Sequence, residues 1–224
     1  MAEELLHFAK YAENPEALGK GELDYWKEVA PIINDLLDEL KANGKIETSF
    51  TKSEIEHMTH VMDNLYRLGK NSNLLINLFK PNKNFEGFLE VASRFGFDES
   101  SLALLYIETS VLSGIFHLEL FKNLLLFHLK DVDPKVNFYR TMEKNAPKTW
   151  QRLKPIVDNK FRNSLAHGSW ALENKHIVLF EDAELIPFEK LNLGEFIIRV
   201  KKVNILYTCF LHVLMDKMKQ GLLK

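Results

Sequence analysis

The residue types able to do chemistry at a useful spacing lie in one short run, Lys160-Phe161-Arg162-Asn163-Ser164-Leu165-Ala166-His167-Gly168. Pro155 near a first turn and Gly168 as a left-handed residue just past the end would bound a single helix. At about 100° per residue, Val157, Phe161 and Leu165 share one face and anchor that helix to a core. Arg162, Asn163, Ala166 and His167 then fall within about 140° on the opposite face. Ala166 leaves open space between the arginine and the histidine, and Asn163, four residues before His167, can touch and orient the imidazole. A guanidinium is permanently charged, and its planar fork matches phosphate oxygens. Imidazole exchanges a proton near neutral pH, and in the last turn of a helix the macrodipole favours imidazolium. A phosphate clamp beside a proton shuttle is enough for RNA transesterification. The 2′-hydroxyl attacks its own phosphate, the developing charge is stabilised, and the 5′-oxygen leaves with a proton. That chemistry needs no metal, and the sequence offers no obvious set of metal ligands.

These residues resemble the signature of the HEPN superfamily, written Arg-x(4–6)-His with a polar residue, often Asn, after the arginine. Here the signature reads Arg162-Asn163-Ser164-Leu165-Ala166-His167, followed by Gly168. The resemblance implies an all-α helical bundle and metal-independent endoribonuclease activity on single-stranded RNA. It also implies a homodimer in which two motifs face one another across a shared cleft. By it, Arg162 and His167 form the catalytic pair and Asn163 is the polar supporting residue. It places such an activity in defence or toxin systems, where a protein inhibitor or antitoxin would be a further partner. Many members of the superfamily serve instead as non-catalytic dimerisation or RNA-binding modules, which is the alternative reading. Taken without the resemblance, Arg162 suits an ion pair with an acid on a neighbouring helix, and His167 suits bonding to loose carbonyls.

Other groups give weaker signals. Trp150 and Trp170 flank the motif and have the faces to stack on unpaired bases, although core packing is their plainer role. Arg199-Val200-Lys201-Lys202 forms a local basic face suited to guiding an RNA backbone. Trp170, Arg199 and Lys202 are therefore the candidate substrate-binding residues. Glu54, Glu56, His57 and His60 lie about one turn apart, but a carboxylate–histidine metal centre needs a matching pair on another helix, and none is evident. No cofactor is expected. Glu108 and Glu119 sit on a mostly apolar helix, where each must find a partner or stay near solvent, and either is placed to orient Arg162. No Gly-rich phosphate loop or Gly-x-Ser-x-Gly motif is present.

These groups must be positioned by helices. The 224 residues carry 29 Lys+Arg against 31 Asp+Glu, and 46% are hydrophobic. That balance excludes an indiscriminate basic coat for nucleic acid and allows a substantial core. The single cysteine, Cys209, lies in an apolar helical run and reads as a buried structural thiol. With one cysteine, no basic and apolar leader, and charges within the most apolar stretch (Leu102 to Leu129), a cytoplasmic chain with no membrane partner is expected.

Helical periodicity predicts segments over Glu3 to about Tyr11, Glu22–Lys41, Thr51 or Ser53 to Gly69, Asn73–Phe79, Ser100 or Ser101 to about Lys130, and Val136 to about Lys144. Ser53 and Glu56 are the expected capping box of the third segment. Asn82–Phe97 reads as loop with one or two helical turns. Ser110, Ser113 and Gly114 give the central helix a small-residue patch for close approach by another helix. Ser169–Leu172 and His176–Phe180 read as a β-hairpin at about 169–181. A last helix follows, capped by Asn192 with Glu195 three residues on, and its polar face carries Arg199, Lys201, Lys202 and Lys217. Residues 1–98 form an N-terminal helical region and 99–224 the bundle that carries the motif.

Overall fold

The computed structural model describes residues 18–47, 50–78, 99–130, 137–174, 176–181 and 186–221. Among these are seven helices and a small antiparallel sheet: α1 (Lys20–Ala42), α2 (Lys52–Leu78), α3 (Glu99–Phe127), α4 (Phe138–Asn145), α5 (Pro147–Leu153), α6 (Asn159–Ala166) and α7 (Leu193–Lys219), with β1 (Trp170–Glu173), β2 (His176–Phe180) and β3 (Pro187–Asn192) between α6 and α7 in the chain. The expected helix at Glu3–Tyr11 and the turns at Asn82–Phe97 lie outside the described residues.

Local chemistry sets the boundaries. In α1 the buried stripe is Tyr25, Val29, Ile33, Leu36, Leu37 and Leu40, spaced to keep one face inward. Gly44, at φ 65°, ends the helix in the left-handed region. The α2 cap is at Thr51 rather than Ser53. The Thr51 N–H donates to Glu54 Oε2 at 2.7 Å and the Glu54 N–H to Thr51 Oγ1 at 3.3 Å. Both pairs have the spacing of a capping box, and Thr51 is the one whose bonds form. The two segments expected on either side of Gly69 are one helix, since a single interior glycine weakens a helix without stopping it. Asn192 and Glu195 form the expected reciprocal cap of α7.

Two cores share the long helices. The larger joins α1 and α2 to the second half of α3, to α4 and α5, and to α7, so Leu36, Met62, Phe121, Trp150 and Phe210 belong to one apolar cluster. The smaller joins Ile107 and Val111 of α3, Phe161 and Leu165 of α6, Ile177 and Leu179 of β2, and Phe196 and Val200 of α7. The N-terminal helices α1 and α2 thus contribute to the same core as the later bundle. The small-residue patch is where α3 is approached closely. A Cβ on Gly114 would stand 3.5 Å from Val200 of α7 and 3.8 Å from Leu165 of α6. The stretch Ser110–Phe127 of α3 is long and apolar enough to cross a membrane. In this fold its inner side packs on α2 and α7, and His117, Glu119 and Lys122 interrupt it.

The hairpin is a three-stranded meander, ordered β1-β2-β3. β2 pairs with β1 through Trp170↔Leu179 and with β3 through Ile177↔Leu191. Every second residue of β2 therefore faces the smaller core, and the sheet forms a floor beside α6.

Candidate functional site

The motif helix is shorter than its sequence pattern implies. Pro155 lies in a turn, and Pro147 instead opens α5. Asp158 caps α6 because its Oδ1 accepts from the N–H groups of Lys160 and Phe161, satisfying two donors that have no intrahelical partner. At the other end the expectation for Gly168 holds, with φ 67°. The Gly168 N–H donates to Leu165 O at 3.3 Å and the Ser169 N–H to Ser164 O at 2.8 Å, the paired bonds of a Schellman stop. Buried Ser164 donates its hydroxyl to Ser169 O, which also accepts from the Phe180 N–H. The sheet therefore holds the end of the helix in place, and Phe161 and Leu165 hold its inner face.

Arg162 extends from this helix to α3. Its Nε and Nη2 donate to Glu119 Oε1 at 3.1 and 2.7 Å, and its Nη1 donates to Asn163 Oδ1 at 3.0 Å. Lys122, one turn along α3, donates to both oxygens of the same carboxylate at 3.0 and 3.1 Å. Burial alone would raise the Glu119 pKa. The Lys122 charge and the hydrogen bonds from Arg162 and Lys122 outweigh it and hold the carboxyl below its ordinary range. The cluster has two cations and one anion, with side chains 17–24% exposed. Of the acids singled out in the sequence, Glu119 is the one that meets Arg162.

Asn163 binds the arginine through its side chain, and its backbone carbonyl accepts the His167 N–H at 2.9 Å. His167 is the C-cap residue, exposed to solvent beside exposed Ala166. Arg162 and His167 are thus on one short helix and reach the surface differently, Arg162 partly buried against α3 and His167 exposed at the C-terminal end. Nearby, the Tyr139 hydroxyl donates to Val157 O at 2.9 Å, bracing the turn that leads into α6.

No protein-family model, curated protein or solved structure matches this chain.

The weaker candidates separate. Arg199 is not a free basic group. It donates to Asp158 and Glu189 and its guanidinium lies 4.2 Å from the centre of the Phe161 ring. Asp158 takes Arg199 on Oδ2 while capping α6 with Oδ1, so Arg199 fastens α7 to the start of the motif helix. Lys201 pairs with Glu22 of α1, and buried Lys217 pairs with Asp38 of α1, so the expected basic face of α7 is partly an interhelical seam. Lys202 is exposed, its ammonium 5.0 Å from the centre of the Tyr25 ring. Trp150 is 1% exposed and is a core residue, unable to stack on a base. Trp170 is half-buried at the edge of the smaller core.

Glu54 bonds Thr51, and His60 Nε2 lies 3.1 Å from Asn64 Nδ2. Among the described residues no group of three or more His, Cys, Asp or Glu could hold a metal. A cleft of about 390 Å³ lies on the sheet, lined by Val178, Phe180, Pro187, Phe188, Lys190 and two glutamates, and no motif residue lines it. Two site-building residues escaped the sequence reading. Asp158 was legible as an acid just ahead of a helix, and Lys122 as a base one turn after Glu119.

Proposed function

We propose that this chain is a HEPN-type protein that acts as a metal-independent endoribonuclease on single-stranded RNA, with two copies pairing their motifs across one cleft. The observation that carries this reading is the motif helix itself. It ends at a solvent-facing histidine, held by a left-handed glycine, and carries a partly buried arginine, its side chain 24% exposed, whose cluster keeps one excess positive charge. In this reading Arg162 takes a non-bridging oxygen of the scissile phosphate and stabilises the charge that grows there. Asn163, bonded to Nη1, keeps the guanidinium from rotating. The 2′-hydroxyl gives its proton to solvent water as its oxygen bonds phosphorus and the bond from phosphorus to the 5′-oxygen breaks, leaving a 2′,3′-cyclic phosphate. Protonated His167 gives its proton to the departing 5′-oxygen. RNA, a second copy of the chain and a protein inhibitor are its proposed partners, in a cytoplasmic defence or toxin setting.

One observation favours the second reading, a non-catalytic dimerisation or RNA-binding module. Arg162 bonds Glu119 through two donors, as a structural tie between α6 and α3 would.

Purified protein incubated with single-stranded RNA in EDTA separates the two. The enzyme reading expects cleavage by the wild type and a loss of at least a hundredfold in both Arg162→Ala and His167→Ala. Equal inertness of all three, with dimerisation intact, would select the module, and a requirement for a divalent ion would exclude the mechanism.

A further inference from the structure

The Arg162 cluster contains a second cation that the mechanism above does not use. Lys122 comes from a different helix, and α3 places it beside Arg162 because Glu119 and Lys122 are three residues apart on one helical face. Both cations bond the same atom. Arg162 Nη2 is 2.7 Å and Lys122 Nζ 3.0 Å from Glu119 Oε1, so the two nitrogens stand less than about 6 Å apart, a span one phosphate can bridge with a charge-assisted bond of about 2.8 Å at each side.

Donors are also left over. A guanidinium has five N–H groups and an ammonium three. Among the described residues Arg162 makes three hydrogen bonds, two to Glu119 and one to Asn163, and Lys122 bonds only Glu119. Each cation thus keeps N–H capacity for another acceptor. The single carboxylate neutralises one of two positive charges, and the remaining charge sits in a partly buried setting where screening by solvent is weaker than at an open surface.

We propose that Lys122 is a second phosphate-binding residue of the site, acting with Arg162 on one phosphodiester group of RNA while Glu119 spaces the two cations. This rests on the reading of Arg162 as a phosphate ligand. Glu119 is then a positioning residue that lies between the helices and keeps both donors on station.

The test measures binding apart from cleavage. A fluorescein-labelled single-stranded 2′-O-methyl RNA has no free 2′-hydroxyl to attack, and its anisotropy is followed across a salt series for wild type, Lys122→Gln, Lys122→Arg and Arg162→Ala. Lys122→Gln is expected to weaken binding five- to tenfold and to reduce the slope of log affinity against log salt by about 0.7, the loss of one single-strand phosphate contact. Lys122→Arg is expected to stay within about twofold of wild type, since it keeps the charge. Should Lys122→Gln melt early by circular dichroism, Lys122→Met keeps the apolar stem, leaves Glu119 paired with Arg162 and carries the same comparison. Wild-type affinity and slope in the glutamine variant, beside a weakened Arg162→Ala, would make Lys122 a counter-ion only and leave the reading of Arg162 intact. Equal binding by all four proteins would overturn both.

Discussion

Arg162 ties α6 to α3, and the proposed function asks it to meet a phosphate as well. Its bonds to Glu119 and Asn163 orient the guanidinium, and its side chain, 24% exposed, still reaches solvent. Removing it leaves Glu119 still paired with Lys122, so no uncompensated buried charge is created. Arg162→Ala is therefore expected to cost no more than about 2 kcal/mol of stability, measured by urea denaturation, while abolishing cleavage. A cost above about 4 kcal/mol would mark the arginine as chiefly structural. Much at this scale was legible in the sequence. Gly168 ends the motif helix in the left-handed conformation its position implies. Cys209 is buried in the larger core, which pushes its thiol up to about 12 and makes it a poor nucleophile. The partner of Arg162 was narrowed to two acids and no further, because the choice depends on how α6 crosses α3, a contact between residues 43 positions apart.

At the scale of elements, α6 is too short to be stable by itself and depends on what grips its two ends. Asp158 and Arg199 grip the first, and Ser164, Ser169 and Phe180 the second. Asp158→Ala is expected to lose about 1 kcal/mol from the cap, with a smaller further loss from its bond to Arg199, which keeps Glu189. Arg199→Gln should lower kcat more than it weakens RNA binding, because it loosens the helix without removing a phosphate ligand. If Arg199→Gln instead weakens binding and flattens its salt dependence, the residue touches RNA as the sequence alone implied.

Local rules explain what was legible among the elements. The α7 cap at Asn192 and the first two strands follow from adjacent residues. The third strand was missed because Pro187-Phe188-Glu189-Lys190-Leu191 carries weak alternation and gains its order by pairing with β2. Pro155 misled because proline suits both a first helical turn and a tight loop, and here Asp158 offers the better cap.

For the whole molecule, two buried histidines on or beside α3 set the acid limit. His117 Nδ1 donates to Ser113 O at 2.6 Å and His128 Nδ1 to Leu124 O at 2.7 Å, and burial pushes both pKa values down to about 4. The unfolded chain takes up these protons near pH 6.5 and the folded one only near pH 4. Stability is thus complete above the first value and lost as pH falls towards the second, by about 3 kcal/mol for each histidine. The urea midpoint is expected to fall steeply between pH 6.5 and 4, and less steeply in His128→Leu, whose Nε2 has no hydrogen-bond partner among the described residues. An unchanged slope in that variant would show that His128 titrates normally in the fold. The proposed pairing with a second copy would be written in no single helix, since it would depend on surfaces that only the assembled fold creates. The decisive measurement is made on the RNA. A substrate bearing a single 2′-deoxy nucleotide at the cleaved position is compared, in EDTA, with the all-ribose strand. The ribose strand is expected to yield a 2′,3′-cyclic phosphate end and the deoxy strand to stay intact at that position. Cleavage of the deoxy strand there, or no cleavage of either strand, would contradict it.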